Sequence, residues 1–138
     1  MTPAALTTLY TEIFAPWVQA LKIAVQEVGE TCQFTFQGGA QMVRGGGEGG
    51  GVVCGQAISA AADTCSVLAL SHLNGAFRPC TTVDLTAHFL RPVPEGEVTV
   101  RVTAASNGRR MAVTRVEVLG ANGKTGAVVT CAFAYLDG

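Results

Sequence analysis

The sequence predicts an α+β fold in which a curved antiparallel sheet wraps around one long helix. Three observations carry that prediction: a nearly uncharged helical stretch opening near Gly55, six runs whose apolar residues recur every second position, and two Asn-Gly turn signals among the last of those runs. With one long helix against six strands, that helix is the cover available for the inner face of the sheet. At 138 residues the chain is expected to form one domain, residues 1–138, that buries a core without disulfides or a structural metal.

Leu6, Leu9, Tyr10, Ile13 and Phe14 fall at helical spacing after Thr2-Pro3, which predicts a short amphipathic N-terminal helix over about 3–16, ending near Pro16. From Leu21 the period is two. Leu21, Ile23 and Val25 oppose Lys22 and Gln26, Gly29-Glu30 turns the chain, and Cys32, Phe34 and Phe36 oppose Thr31, Gln33 and Thr35, so a hairpin is expected. Six of the seven residues from Gly45 to Gly51 are glycine, read as a loop whose backbone comes close to something. Gly45, Gly47 and Gly50 satisfy GxGxxG through composition alone, and no βαβ pattern follows them.

Beyond the long helix, Val83, Leu85, Ala87 and Phe89 alternate with Asp84, Thr86 and His88, and Val98, Val100 and Val102 alternate with Thr99, Arg101 and Thr103. Asn107-Gly108 carries a type I′ hairpin signal, and Asn122-Gly123 repeats it between the run ending at Leu119 and the run reaching Tyr135. Four strands in an antiparallel meander are expected. Gly123-Lys124-Thr125 belongs to a hairpin and not to a phosphate loop, because Val118 stands where such a loop needs its first glycine.

Apolar residues make up 49% of the chain and charged residues 14%, too few charges for a free-standing surface, so oligomerisation is expected. A net charge of -1 with scattered arginines argues against nucleic-acid binding. No apolar run approaches a membrane span, and the start carries Glu12 without a basic region, so neither membrane insertion nor a signal peptide is expected and the location is read as cytoplasmic. Cys32, Cys54, Cys65, Cys80 and Cys131 are odd in number and show no CxxC pair and no metal-ligand spacing with His72 or His88, so most are expected to be reduced, small core residues and no metal is expected. His72 near the helix end suits the dipole there, and His88 falls on the polar side of a strand.

Between Glu48 and Arg78 the one formal charge is Asp63. Ile58, Ala61, Ala62, Cys65, Leu68, Ala69 and Leu73 form a stripe expected to face the sheet. Asp63 shares the other side with Gln56, Ser59, Ala60, Ser66, Val67 and Leu70, a surface poor enough in charge to meet another subunit or a ligand. A carboxylate there is costly unless hydrogen-bonded, and Ser59 or Ser66 offers a purely structural partner one turn away. The amides near Gly55 lack helical acceptors and suit a developing oxyanion. Eight residues of helix separate Gly55 from Asp63 by about 12 Å. To act on one carbonyl they must therefore come from two subunits. Cys54 at the helix start is a candidate thiolate nucleophile, but no histidine is placed to activate it.

The run Val53-Cys54-Gly55-Gln56-Ala57-Ile58-Ser59-Ala60-Ala61-Ala62-Asp63-Thr64 resembles the helix-start motif of the PaaI-type hotdog thioesterases, in which His-Gly-Gly is followed at this spacing by the catalytic Asp. Thr82-Val83-Asp84-Leu85, Phe89-Leu90-Arg91-Pro92, Gly108-Arg109 and Gly123-Lys124 are similar to that family's strand pattern, so the resemblance spans about residues 17–136. It implies a hotdog fold and hydrolysis of an acyl-CoA thioester at a dimer interface, commonly in a homotetramer, with coenzyme A entering as part of the substrate and no separate cofactor. It also implies that the Gly55 amide polarises the thioester carbonyl and that Asp63 of the partner is nucleophile or general base. Thr82 stands where the family places a Ser or Thr that orients the attack. Arg91 and Arg109 are candidates for the coenzyme A phosphates. Cys54 replaces the motif's histidine, Gln56 its second glycine, and both border the substrate position. Glu48 occupies the place of an Asn or Gln that contacts the thioester or water; the alternative is that it only solubilises the glycine loop. A non-catalytic acyl-CoA-binding protein on the same fold is the second reading, raised by the altered helix start.

Overall fold

The computed structural model describes all residues 1–138. Helix α1 spans Pro3–Ile13, with the Thr2 hydroxyl accepting from the Ala5 amide and Pro3 at the first helical position, where its missing N–H costs nothing. Pro16 does more than end this segment: it opens a separate short helix α2, Pro16–Gln19. Strands β1 (Ala24–Glu27) and β2 (Thr31–Gly38) form the expected hairpin. Its first strand begins later than the alternation suggests, because Lys22 takes a left-handed conformation (φ 52°) and turns Leu21 and Ile23 into the core ahead of the strand.

Helix α3, Gly55–Asn74, follows the glycine loop and ends on left-handed Gly75. Then come β3 (Cys80–Phe89), β4 (Gly96–Asn107), β5 (Met111–Leu119) and β6 (Thr125–Tyr135). All pairings are antiparallel, and the six strands form one sheet in the order β1-β2-β4-β5-β6-β3. The curved sheet wrapped on one long helix is the hotdog arrangement. The four-strand meander is not: only β4, β5 and β6 follow one another, while β4 joins β2 and β3 lies beyond β6 at the far edge. Alternation along each strand specifies which residues face inward but not which strand lies alongside. Here α3 carries the chain across the sheet before β3 begins, and Leu90 to Glu95 bring it back.

Both Asn-Gly hairpins exist, but neither turn is type I′. Gly108, Arg109 and Arg110 make a three-residue loop in which the Gly108 amide donates to the Met111 carbonyl. At the second, the Gly123 amide donates to the Gly120 carbonyl and Gly123 alone is left-handed (φ 76°), while Asn122 Oδ1 accepts from the Lys124 amide.

Twenty-nine apolar residues form one core. From α3 it takes Ile58, Ala61, Ala62, Cys65, Leu68 and Ala69 as expected, but Leu73, at the helix end, is 39% exposed. Ser66 and Leu70 are buried rather than on the open side: Ser66 Oγ and Thr114 Oγ1 of β5 lie 2.7 Å apart, a polar pair satisfied inside the core. The N-terminal helix adds Leu6, Leu9 and Tyr10, so α3 is not alone in covering apolar surface. Phe34, fully buried opposite Val100, tests this packing: Phe34→Ala should lower unfolding free energy by about 3–5 kcal/mol in urea denaturation at fixed protein concentration.

Candidate functional site at the start of the long helix

Cys54 caps α3 without a side-chain hydrogen bond, and its amide donates to the Met42 carbonyl at 2.7 Å. The first helical hydrogen bond runs from Ile58 to the Cys54 carbonyl, which leaves the amides of Gly55, Gln56 and Ala57 without intrahelical acceptors. A side chain on Gly55 would meet Phe89 of β3, since a Cβ there would lie 3.1 Å from the ring. Glycine at 55 therefore lets the edge strand close onto the helix start.

On one side of this turn lies a cleft of about 490 Å³, bordered by Gly55, Ile58, Phe89, Arg44 and Arg91 among others. Arg91 is held by a 2.8 Å bond from Nη1 to the Thr125 carbonyl. The loop behind it is pinned by Val93, which is buried against Gly126 where a Cβ would collide with it. On the other side, Cys54, Gln56 and Ala57 border a smaller, largely apolar cavity of about 230 Å³ with Trp17, Ala20, Leu21, Gln41 and Met42.

Asp63 lies two turns further along α3, half-buried. Its partner is neither Ser59 nor Ser66: Thr82 Oγ1 of β3 donates to Asp63 Oδ1 at 2.7 Å, and Oδ2 has no partner in the chain. A β-bulge makes this contact possible. Thr82 pairs with Phe133 and Asp84 with Ala132, so Val83 is the extra residue and Thr82 shares the helix-facing side with Leu85, Ala87 and Phe89. Unbroken alternation would have turned Thr82 away from the helix. Val83, placed on that side by the sequence pattern, is instead 53% exposed. Burial pushes the nearby Cys80 thiol up, and the Asp63 carboxylate adds to the effect, so the thiol beside the acid is neutral.

The remaining sequence candidates fall elsewhere. Glu48 is exposed at the tip of the glycine loop, without an ion pair and outside the cleft lining. The loop's glycines are not explained by close approach: Gly46, Gly47, Gly49 and Gly51 have positive φ with open space around them, and Gly50 alone is tightly placed, against loop carbonyls. Arg109 sits in the β4–β5 turn, where its carbonyl accepts from Arg78, at the Cys80 end of β3 and away from the cleft of its own chain. His72 bonds the N-terminal residue, His88 is exposed, and neither is hydrogen-bonded to Cys54. No group of three or more His, Cys, Asp or Glu side chains is placed to hold a metal, and no helix is long and apolar enough to cross a membrane.

Sequence reasoning missed Arg44, the ring of Phe89 over Gly55, and the Trp17 cavity. Arg44 stands directly before the glycine tract, a position that hints at a role; the other two arise from contacts between distant segments.

Residues 50–127 match the model of the thioesterase superfamily. Among solved structures, thioesterase HI1161 from Haemophilus influenzae is 25% identical, covering 97% of this chain and 90% of that one with a TM-score of 0.83. The E. coli PaaI protein from the phenylacetic acid degradation operon is 21% identical over 94% of this chain and 89% of that one, with a TM-score of 0.77. A single-site mutant of the phenylacetic acid degradation protein PaaI from Thermus thermophilus is 24% identical over 88% of this chain and 100% of that one, with a TM-score of 0.73. No curated protein matches at a significant level. The family match runs from the end of the glycine loop through the helix start, Asp63 and Thr82 to the beginning of β6, and the chain belongs to the thioesterase superfamily as a hotdog-fold thioester hydrolase.

Proposed function

We propose that the protein hydrolyses acyl-CoA thioesters at a site shared by two subunits, with the Gly55 amide of one and Asp63 of the other acting on the same carbonyl. The observation that carries this reading is the edge strand β3. It lies at the open end of the sheet, paired on one side only, and its helix-facing residues touch both halves of the site: Thr82 holds Asp63 and Phe89 covers Gly55. If two copies join through their β3 edges, antiparallel and centred near Leu85 and Thr86, Thr82 of one stands across from Phe89 of the other. Asp63 of one subunit is then carried toward Gly55 of its partner, bridging the separation of about 12 Å that keeps them apart within a chain. The exposed Val83 and Phe89 and the half-covered Ser59, Ala60 and Val67 beside Asp63 are surfaces such a partner would bury.

In this site the carbonyl oxygen takes a hydrogen bond from the Gly55 amide, which strengthens as negative charge develops on that oxygen. Asp63 uses its free Oδ2 to attack the carbonyl carbon, or to take a proton from a water that does so, and the coenzyme A thiolate departs; in the first case a water then cleaves the acyl–Asp63 anhydride, releasing the carboxylic acid and restoring the carboxylate. Thr82 fixes the carboxylate through Oδ1. Arg91 and Arg44 give the cleft beside Gly55 a positive border for phosphates, and the same edge pairing brings the partner's Cys80 end, with Arg109, toward that cleft. Coenzyme A comes with the substrate and no further cofactor is needed. The dimer is the smallest active unit, a homotetramer is the expected assembly, and the cytoplasm, where acyl-CoA esters are available, is the expected location.

The test is free-thiol release from a panel of short, medium and aromatic acyl-CoA esters. Release by the wild-type protein is the expected result; tight ester binding with no release would favour a non-catalytic binding protein instead. Within the same assay Thr82→Val, which keeps the shape and deletes the hydroxyl, should lower kcat by roughly tenfold with little change in KM, as loss of one hydrogen bond to a charged group implies.

A further inference from the structure

The first turn of α3 divides two unlike spaces. Gly55 and Ile58, three residues apart, face the arginine-bordered cleft, while Cys54 and Ala57, also three apart, face the apolar cavity with Gln56 between. An acyl-CoA has the same division, a polyanionic carrier and an apolar acyl group joined at the carbonyl. Trp17, the one tryptophan of the chain, borders the apolar side and is 64% exposed, an unusual position for so large a ring.

The segment that carries it is anchored from behind. Tyr10 Oη donates to the Val18 carbonyl at 2.6 Å, and Gln19 Nε2 donates to the carbonyls of Phe14 at 2.7 Å and Thr11 at 3.2 Å. These bonds fix α2 against α1, and Trp17 remains free to form one wall of the cavity. Resting on the acyl-CoA hydrolase reading above, we infer that this cavity receives the acyl group and that Trp17 sets the upper limit on its size. At about 230 Å³ the cavity is less than half the volume of the cleft across the turn, which suits acyl groups of short to medium length.

The lone tryptophan supplies a readout that does not depend on turnover. In the Asp63→Asn protein, titration with octanoyl-CoA should shift and change the intensity of Trp17 emission, and free coenzyme A should not. In hydrolysis, wild-type kcat/KM should rise with chain length until the cavity is full and then fall, roughly tenfold for each methylene that no longer fits. Trp17→Ala should move that optimum to longer chains, and Ala20→Leu, which narrows the cavity from a neighbouring wall, should move it to shorter ones. Emission unmoved by every ester overturns the inference whatever the hydrolysis assay shows, as does a chain-length profile of unchanged shape in both variants. If Trp17 burial in a subunit contact is the true reason for its position, dilution through dimer dissociation changes its emission and esters do not, which also overturns it. An emission response together with no thiol release by the wild-type protein would leave the acyl site standing and remove the hydrolytic reading.

Discussion

Asp63→Asn should reduce kcat/KM for acyl-CoA hydrolysis by about a thousandfold or more, the scale expected when a general base or nucleophile is removed. The effect should come without loss of the fold. Asn is nearly isosteric, and its amide oxygen can still accept from Thr82, so the one hydrogen bond that ties Asp63 to β3 survives the exchange. What disappears is the charge and basicity of Oδ2, which has no structural partner to lose. Circular dichroism and ester-induced Trp17 emission should match the wild type while thiol release falls. A variant that keeps most of its turnover would take Asp63 out of the chemistry and leave it as a strut between α3 and β3.

Gly55→Pro should lower kcat by about a hundredfold or more, in the range found when one oxyanion donor is deleted. The backbone around this position tolerates proline unusually well. Gly55 is the first residue of α3, where a missing N–H breaks no helical bond, and Cys54 before it is already extended at φ -68° and ψ 149°, the conformation a following proline demands. The added carbon atoms press on Phe89, so the proper control is Gly55→Ala, which puts a Cβ at the same 3.1 Å from that ring and keeps the amide. Phe89 is 54% exposed and its ring tip can give way, so the alanine variant should lose roughly tenfold at most. Equal losses in the two variants would mean that crowding at Phe89, and not the amide, accounts for the effect.

The helix and its acid were legible because charge is so sparse: Asp63 stands alone between Glu48 and Arg78. Burial at period two likewise marked β2, β4 and β6, whose inward residues Phe34, Val100 and Phe133 are fully buried. Strand order was not legible, since alternation in β3 is the same whether it neighbours β4 or β6. Nor was the bulge. Val83 continues the parity of Leu85 and Ala87, and only the pairing of Thr82 with Phe133 and Asp84 with Ala132 reveals that the register slips between them. That slip aims Thr82 at Asp63, so the contact that locates the acid is set by tertiary pairing and leaves no mark in the local pattern. The separation of Gly55 from Asp63, by contrast, follows from helix rise alone, and it is the reason the proposed site is shared by two subunits.

Co-expression of Asp63→Asn and Gly55→Pro chains tests the shared site most directly. In a hybrid dimer of two-fold symmetry one site carries both lesions and the other carries neither. Random assortment makes half the dimers hybrid, each with one intact site of two, so the mixture should regain about a quarter of wild-type thiol release although each variant alone is nearly inactive. A mixture no more active than the mean of the two variants, with hybrid dimers confirmed by differential tagging, would contradict a site built from Gly55 of one subunit and Asp63 of the other.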